Sequence, residues 1–438
     1  MAMSTLPHPT IFVPGWMGTT LQDEYQLPPE IVWSALTHDF ERAAFHPDNL
    51  QFEVSGPARV VPGQIYEVAY KELIEELRHG LTAREEAPVP VFPFKYDWRQ
   101  PVCITEGQLG RFIEEVIART KLLRHYDSAG YGRTGEAKVN LVGHSLGGLV
   151  IAGYIERSGA AHHVHKIATL AAPFQGAFEA AASIVTGTSS LAPKTASRER
   201  DAARLTPGAY HMLASFEGSL YLGDKPLTRN LFDPSIWQPS VVATLAKYIA
   251  QHGLDGADPE GRARALFAGM LTTAARQRSR VDKLSLAGCG LTPERWLCVV
   301  GVGSQTRVRL KVVPRPHGFD FDFGSEDRMN EWDNSDPARK HLTGDGGVPF
   351  DGAVPKFLPL ESLVCVTQDD FGYWEVQDKL FAAVAGFHSI MPNMDMLHRL
   401  ILAHLTDSGP KYDNIWGRPA PGVTAWNPPI PGLRAKQD

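Results

Sequence analysis

Val139-Asn140-Leu141-Val142-Gly143-His144-Ser145-Leu146-Gly147-Gly148-Leu149-Val150-Ile151 is the stretch whose reading decides the fold. Val139 to Val142 is an apolar run of strand length, and Gly148 to Arg157 is compatible with a helix. Between them lies Gly143-His144-Ser145-Leu146-Gly147, a G-x-S-x-G pentapeptide. Strand, sharp turn and helix around such a pentapeptide make a nucleophile elbow, with the serine on a strained turn and its hydroxyl at the head of a sheet. Residues flanking the serine in so tight a turn have to be small, and Gly143 and Gly147 meet that need. A chance match in a glycine-containing loop is the bland alternative, and the flanking strand and helix weigh against it.

Outward from the elbow, composition bounds the answer. The chain has 438 residues, 43% of them hydrophobic and 21% charged, which suits a globular protein with a sizeable core. A net charge of −6 gives no basic field for nucleic acid. No run approaches the apolar length of a transmembrane helix. The first fifteen residues lack the charged-then-apolar pattern of a secretory signal. Cys103, Cys289, Cys298 and Cys365 show no CxxC spacing, so reduced thiols are expected, without zinc or disulfides. Together these point to a cytoplasmic protein without cofactor or metal.

Upstream of the elbow, Thr10 to Val13 reads as a strand, followed by the loop Pro14-Gly15-Trp16-Met17-Gly18. A glycine-bearing loop after an early strand is where an oxyanion hole is built from backbone N–H groups, here Trp16 together with Leu146 of the elbow. Thr19 to Gly63 lacks clear periodicity apart from a short helical stretch around Ser34 to Ala44, and reads as an irregular lid-like segment. Tyr66 to His79 carries Val68, Leu73, Ile74 and Leu77 at helical spacing, and Gly107 to Leu123 reads as a second amphipathic helix. Val89 to Phe94 reads as a strand, and Asp97 and Arg99 just after it as structural partners.

Downstream, His162-His163-Val164-His165 lacks acidic or cysteine partners and reads as a solvated loop. Ile167 to Ala172 is the next strand. From Gly176 to Pro293 helix-like pieces prevail (Ala177–Val185, Ala209–Phe216, Val241–Gln251, Arg262–Arg276), the pattern of a helical cap inserted in an α/β core. Tyr210, Met212 and Trp237 are candidates for an apolar pocket or, more simply, for the cap's own packing. Trp296 to Val302 is a buried strand, with Arg307 to Val313 a second. Pro314 to Lys340 reads as acidic loop, Leu363 to Thr367 as strand, and Met394 to Leu405 as helix.

A serine hydroxyl needs a base, and the base a carboxylate that fixes its tautomer. In α/β-hydrolases these follow in the order serine, acid, histidine, each on a loop after a core strand. Ser145, Asp345 in Gly344-Asp345-Gly346-Gly347-Val348, and His388 in Gly386-Phe387-His388-Ser389 satisfy that order. Asp322, Asp333, Asp336 and Asp351 are rival acids, and His341, His398 and His404 rival bases. Glycine neighbours that let the backbone turn favour Asp345. His398 and His404 fall inside the closing helix pattern.

These motifs resemble, in order, the lecithin:cholesterol acyltransferase-like family, which includes lysosomal phospholipase A2. The matching segments are Ile11–Gly18, Phe94-Lys95-Tyr96-Asp97-Trp98-Arg99, Gly143–Gly148, Ala171-Ala172-Pro173-Phe174-Gln175-Gly176 and Gly344–Val348. The resemblance spans roughly residues 8 to 405. It implies an α/β-hydrolase fold with a mostly parallel central sheet and helices on both faces. Residues 1–176 and 294–438 would form the core, 19–63 the lid-like segment and 177–293 the inserted cap. It also implies Ser145, Asp345 and His388 as the triad. The chain departs from the family at Gly347, where threonine is usual, at Trp16, where some members are acidic, and in lacking lid cysteines. Those departures point to a bacterial-type cytoplasmic branch.

The expected activity is that of a serine esterase, lipase or O-acyltransferase on a lipid-like or hydrophobic ester, working through an acyl-enzyme. An acceptor alcohol and transient contact with a membrane surface go with that reading. The competing class is a catalytically inactive α/β-hydrolase that binds a ligand or partner.

Overall fold

Successive side chains of the strand β1 (Thr10–Val13) go to opposite faces, as the two-residue period of a strand requires. Ile11 and Val13 enter one hydrophobic cluster and Phe12 enters another. The same division recurs in β2 (Val91–Pro93), β3 (Val139–His144), β4 (Val164–Leu170), β5 (Trp296–Val302) and β6 (Val364–Thr367), in an all-parallel sheet of order β2-β1-β3-β4-β5-β6. A sheet covered on both faces wants continuous apolar strands, which is why β3 and β5 are buried at every position. The computed structural model describes residues 6–34, 36–133, 135–159, 163–187, 196–254, 256–316, 318–408 and 414–436.

One face is covered by α1 (Glu67–Leu81) and α5 (Asp395–Thr406), through Leu73, Leu77, Leu397 and Leu400. The other is covered by α2 (Val102–Lys121) and α3 (Leu146–Ser158), through Leu109, Ile113, Leu149 and Val150. A long helix of the insertion, α4 (Pro259–Asp282), lies beyond α3. Arg280 of α4 pairs with Glu106 of α2 and Glu156 of α3, tying insertion to core.

Several local readings change. Val68 is 48% exposed rather than part of the buried face of α1. The second amphipathic helix starts at Val102, five residues before the expected Gly107. Segment 19–63 is ordered, not irregular. Thr19–Asp23, Glu30–Trp33 and Val60–Ile65 form an antiparallel sheet, Phe45–His46 pairs with Asn49–Glu53, and the helix is a single turn, Phe40–Ala43. These strands are short and their pairing shifts register, so no period accumulates in the sequence. Val164 and His165 belong to β4. The His165 ring packs on His8 at 4.3 Å between centroids, and burial lowers its pKa to about 3, so it is not a solvated loop. His162 lies outside the described residues.

The insertion has the expected helices Glu179–Val185, Pro239–His252 and α4, while the Ala209–Phe216 piece reduces to Pro207–Tyr210. Two of its strands join two that follow β5 in a four-stranded sheet of order Lys225–Pro226, Leu220–Leu222, Leu310–Arg315, Gly318–Asp322. The strand expected at Arg307 to Val313 is thus Leu310–Arg315 and pairs here, not in the central sheet. Its alternation of buried and part-exposed residues fits a sheet covered on one face. Gly318–Asp322 and the helix Pro337–Lys340 replace much of the acidic loop. Tyr210, Met212 and Trp237 are all buried in the packing of the insertion.

Candidate active site

Ser145 sits between the end of β3 and the start of α3 with φ 51° and ψ −124°. A non-glycine residue held there is strained by about 1–3 kcal/mol, so its surroundings must over-determine it. They do: Ser145 N–H donates to the Leu170 carbonyl at 2.9 Å, and β1 presses on the elbow from below. A Cβ added at Gly147 would lie 2.2 Å from the Val13 carbonyl oxygen, and one at Gly15 would lie 2.9 Å from the Ser145 Cβ. Only glycine fits at either position.

The loops at the carboxyl ends of β5 and β6 bring two more side chains to the serine. His388 Nε2 is 3.0 Å from Ser145 Oγ, and His388 Nδ1 is 2.7 Å from Asp345 Oδ2. Asp345 is aimed by its own loop. Its Oδ1 accepts N–H bonds from Gly347 at 2.9 Å and Val348 at 2.6 Å, and Gly346 turns with φ 94° while donating to Thr306 Oγ1 at 2.8 Å. Oδ2 is left for the imidazole, which fixes Nδ1 as donor and leaves Nε2 to face Ser145. Burial disfavours the His388 cation, but the Asp345 carboxylate and, more weakly, Glu179 favour it, and the net result is a pKa above the ordinary 6.5.

The loop after β1 is held by two tyrosines. Tyr96 O–H donates to the Pro14 carbonyl at 2.8 Å, and Gly15 N–H donates to Tyr70 Oη at 3.1 Å. The next N–H, that of Trp16, and the Leu146 N–H at the start of α3 have no acceptor among the described residues. Tyr96-Asp97-Trp98-Arg99 therefore has a physical job. Tyr96 supports the loop, and Trp98 Nε1 donates to the Thr19 carbonyl at 3.1 Å. Arg99, only 1% exposed, forks onto Asp97 and also reaches Glu53 and the Ala43 carbonyl. Asp97 and Arg99 are thus structural, pinning segment 19–63 beside the site.

The rivals are engaged elsewhere. Asp351 pairs with His341 at 2.7 Å, Asp336 caps Pro337–Lys340, Asp322 faces Lys311 at 3.8 Å, and Asp333 is exposed. His398 Nε2–H donates to the Pro392 carbonyl at 2.6 Å and His404 Nε2–H to the Ile167 carbonyl at 3.0 Å. Sequence reasoning missed Tyr70, His144, Thr306 and Glu179. Only His144, inside the pentapeptide, carried any local signal. Among the described residues no cluster of three or more His, Cys, Asp or Glu is placed to hold a metal ion, and no helix is long and apolar enough to cross a membrane.

Residues 62–224 match the family model described as lecithin:cholesterol acyltransferase. The match covers well under half of the 438 residues. It takes in the Tyr96–Arg99 segment and the elbow, while Trp16, Asp345 and His388 lie outside it. The fold resembles that of a chain in the crystal structure of the Tle4–Tli4 complex, with a TM-score of 0.62 and 16% identity over 92% of this chain and 99% of that one. No curated protein matches the chain. The resemblance read from the motifs to the lecithin:cholesterol acyltransferase family holds over residues 62–224, the α/β-hydrolase fold holds as well, and at 16% identity the structural neighbour speaks for the fold alone.

Proposed function

We propose that this chain is a serine hydrolase or O-acyltransferase acting on a lipid-like or hydrophobic ester through Ser145, His388 and Asp345. The observation that carries the reading is the unbroken hydrogen-bonded chain from Ser145 Oγ through both nitrogens of His388 to Asp345. His388 Nε2 takes the hydroxyl proton as Ser145 Oγ bonds to the ester carbonyl carbon. Asp345 stabilises the imidazolium that results. The Leu146 and Trp16 N–H groups bind the oxyanion, each worth about 2.7–4 kcal/mol in comparable sites. Collapse of the tetrahedral species breaks the ester C–O bond, and His388 protonates the departing alcohol. Water or an acceptor alcohol then attacks the acyl-enzyme by the reverse sequence, giving acid or a new ester.

The lecithin:cholesterol acyltransferase match supports the choice of lipid-like esters. A lid role for segment 19–63 is supported by its exposed Tyr25, Leu27, Ile31, Leu36 and Phe52, which would favour transient contact with a membrane surface. Residues 177–293 would act as the cap over the acyl chain.

Labelling with a fluorophosphonate tests the enzymatic reading against that of an inactive binding protein. Wild type should label and Ser145→Ala should not; equal labelling sinks the proposal. Product analysis with and without added alcohol separates hydrolysis from transfer.

A further inference from the structure

A buried relay joins the loop after β1 to the base, and neither of its side chains belongs to the triad. Gly15 N–H donates to Tyr70 Oη at 3.1 Å, Tyr70 Oη is 2.9 Å from His144 Nδ1, and His144 Nε2 is 3.0 Å from the His388 carbonyl. A carbonyl only accepts, so His144 Nε2 carries a proton. Burial, then the charge of neighbouring His388, drives the His144 pKa well below 6.5, so the ring is neutral and Nδ1 is an acceptor. Tyr70, raised by burial, keeps its proton and donates it to Nδ1. Every donor in the relay has one acceptor, and the direction of each bond is fixed.

The placement gives this chain of bonds a role. Gly15 precedes Trp16, whose N–H is the proposed oxyanion donor, and holding the Gly15 N–H on Tyr70 leaves the next N–H to turn toward the serine. At the other end, the His388 carbonyl is the acceptor, which fixes the backbone that carries the base. Tyr70 lies on α1, whose start is tied to the same loop by Tyr66 N–H donating to the Gly18 carbonyl at 3.0 Å. We propose that Tyr70 and His144 are positioning residues that set the oxyanion donor and the base in register with one another, so that the tetrahedral intermediate is bound without rearrangement. This rests on the triad reading above. It assigns no chemistry to either residue, because the hydrogen-bond partner of Ser145 Oγ is His388 Nε2.

Tyr70→Phe is the sharpest test. It deletes one oxygen, leaves the ring packed on Phe12 at a centroid distance of 4.9 Å, and strands the Gly15 N–H and His144 Nδ1. On a short soluble ester such as p-nitrophenyl butyrate, kcat per fluorophosphonate-titrated serine should fall about 10- to 100-fold with KM within about twofold. Inhibition by a phenylboronic acid, which forms a tetrahedral adduct on the serine, should weaken by the same factor. His144→Gln, whose amide can both accept from Tyr70 and donate to the His388 carbonyl, should retain about tenfold more activity than His144→Leu. If the variants only lower the titratable fraction, with kcat per site and boronic-acid affinity unchanged, the two residues are merely structural and the proposal fails. A wild type that does not label removes the triad reading and this proposal with it, whereas a labelling wild type beside an unaffected Tyr70→Phe sinks the proposal alone.

Discussion

Asp345 holds His388 at two points: its Oδ2 meets Nδ1 at 2.7 Å, and its carbonyl accepts the His388 backbone N–H at 2.9 Å. The second bond survives any change of the carboxylate. Asn at 345 keeps one oxygen for Gly347 and Val348 but loses the charge that orients and stabilises the imidazolium. Asp345→Asn should therefore lower kcat about 10⁴-fold while the thermal midpoint moves by less than about 3 °C. Steady-state kinetics and a melting curve on the same preparation check both halves.

The charge around His388 sets a pH dependence whose sign can be worked out. Burial favours the neutral ring, the Asp345 carboxylate favours the cation, and Glu179 adds a smaller push the same way, leaving the pKa above 6.5. In the proposed role His388 accepts a proton only when neutral, so kcat/KM should fall as pH drops through that raised pKa, with its acid limb above 6.5. Glu179→Gln removes one raising influence and should move the limb to lower pH. A limb that stays put or moves up contradicts the assignment.

Arg99 is where the Tyr96–Arg99 segment bears on stability. Its guanidinium, 1% exposed, is matched to Asp97, Glu53 and the Ala43 carbonyl and lies 4.4 Å over the ring of Phe45. Lysine cannot reproduce a fork that serves several acceptors. Arg99→Lys should cost about 3–5 kcal/mol, read as a lower urea midpoint, because it leaves buried carboxylates poorly paired. A shift smaller than that of a surface substitution counts against the pinning role.

Gly347 lies against the ring of His388, and that contact limits what can stand there. A Cβ added there would lie 3.1 Å from His388 Cγ, closer than packed side chains normally approach. Either His388 or the loop must give by a few tenths of an ångström. Gly347→Thr should lower kcat about tenfold by displacing the base. Unchanged turnover would mean that the loop yields instead.

Features with local physical causes were legible in the sequence. The elbow was legible because strand, tight turn and helix each leave a separate mark within twenty residues. That Asp345 and His388 would meet Ser145 was legible because chain order and glycine neighbours narrowed the field. Segment 19–63 was not, since strands of four to six residues with shifted register leave little periodicity. The strand expected at Arg307 to Val313 is present as Leu310–Arg315, but one of its two partners, Leu220–Leu222, comes some ninety positions earlier, which no local pattern encodes. Tyr70 is invisible for the same reason: in sequence it is one aromatic on a helix, and only folding sets it between Gly15 and His144.

The insertion's small sheet bears on how such proteins can be rebuilt. Leu220–Leu222 precedes β5 in the chain and Leu310–Arg315 follows it, yet they pair side by side, with Leu310 N–H on the Ser219 carbonyl at 2.9 Å. The small sheet is therefore built from segments on both sides of the core strand β5 in the chain. A chimaera that exchanged residues 177–293 alone would strip Leu310–Arg315 of one neighbour and expose a bare edge to other chains. An exchange that keeps the seam intact would have to move residues 177–293 and the Leu310–Asp322 hairpin together, either with β5 in one block or as two pieces with four junctions.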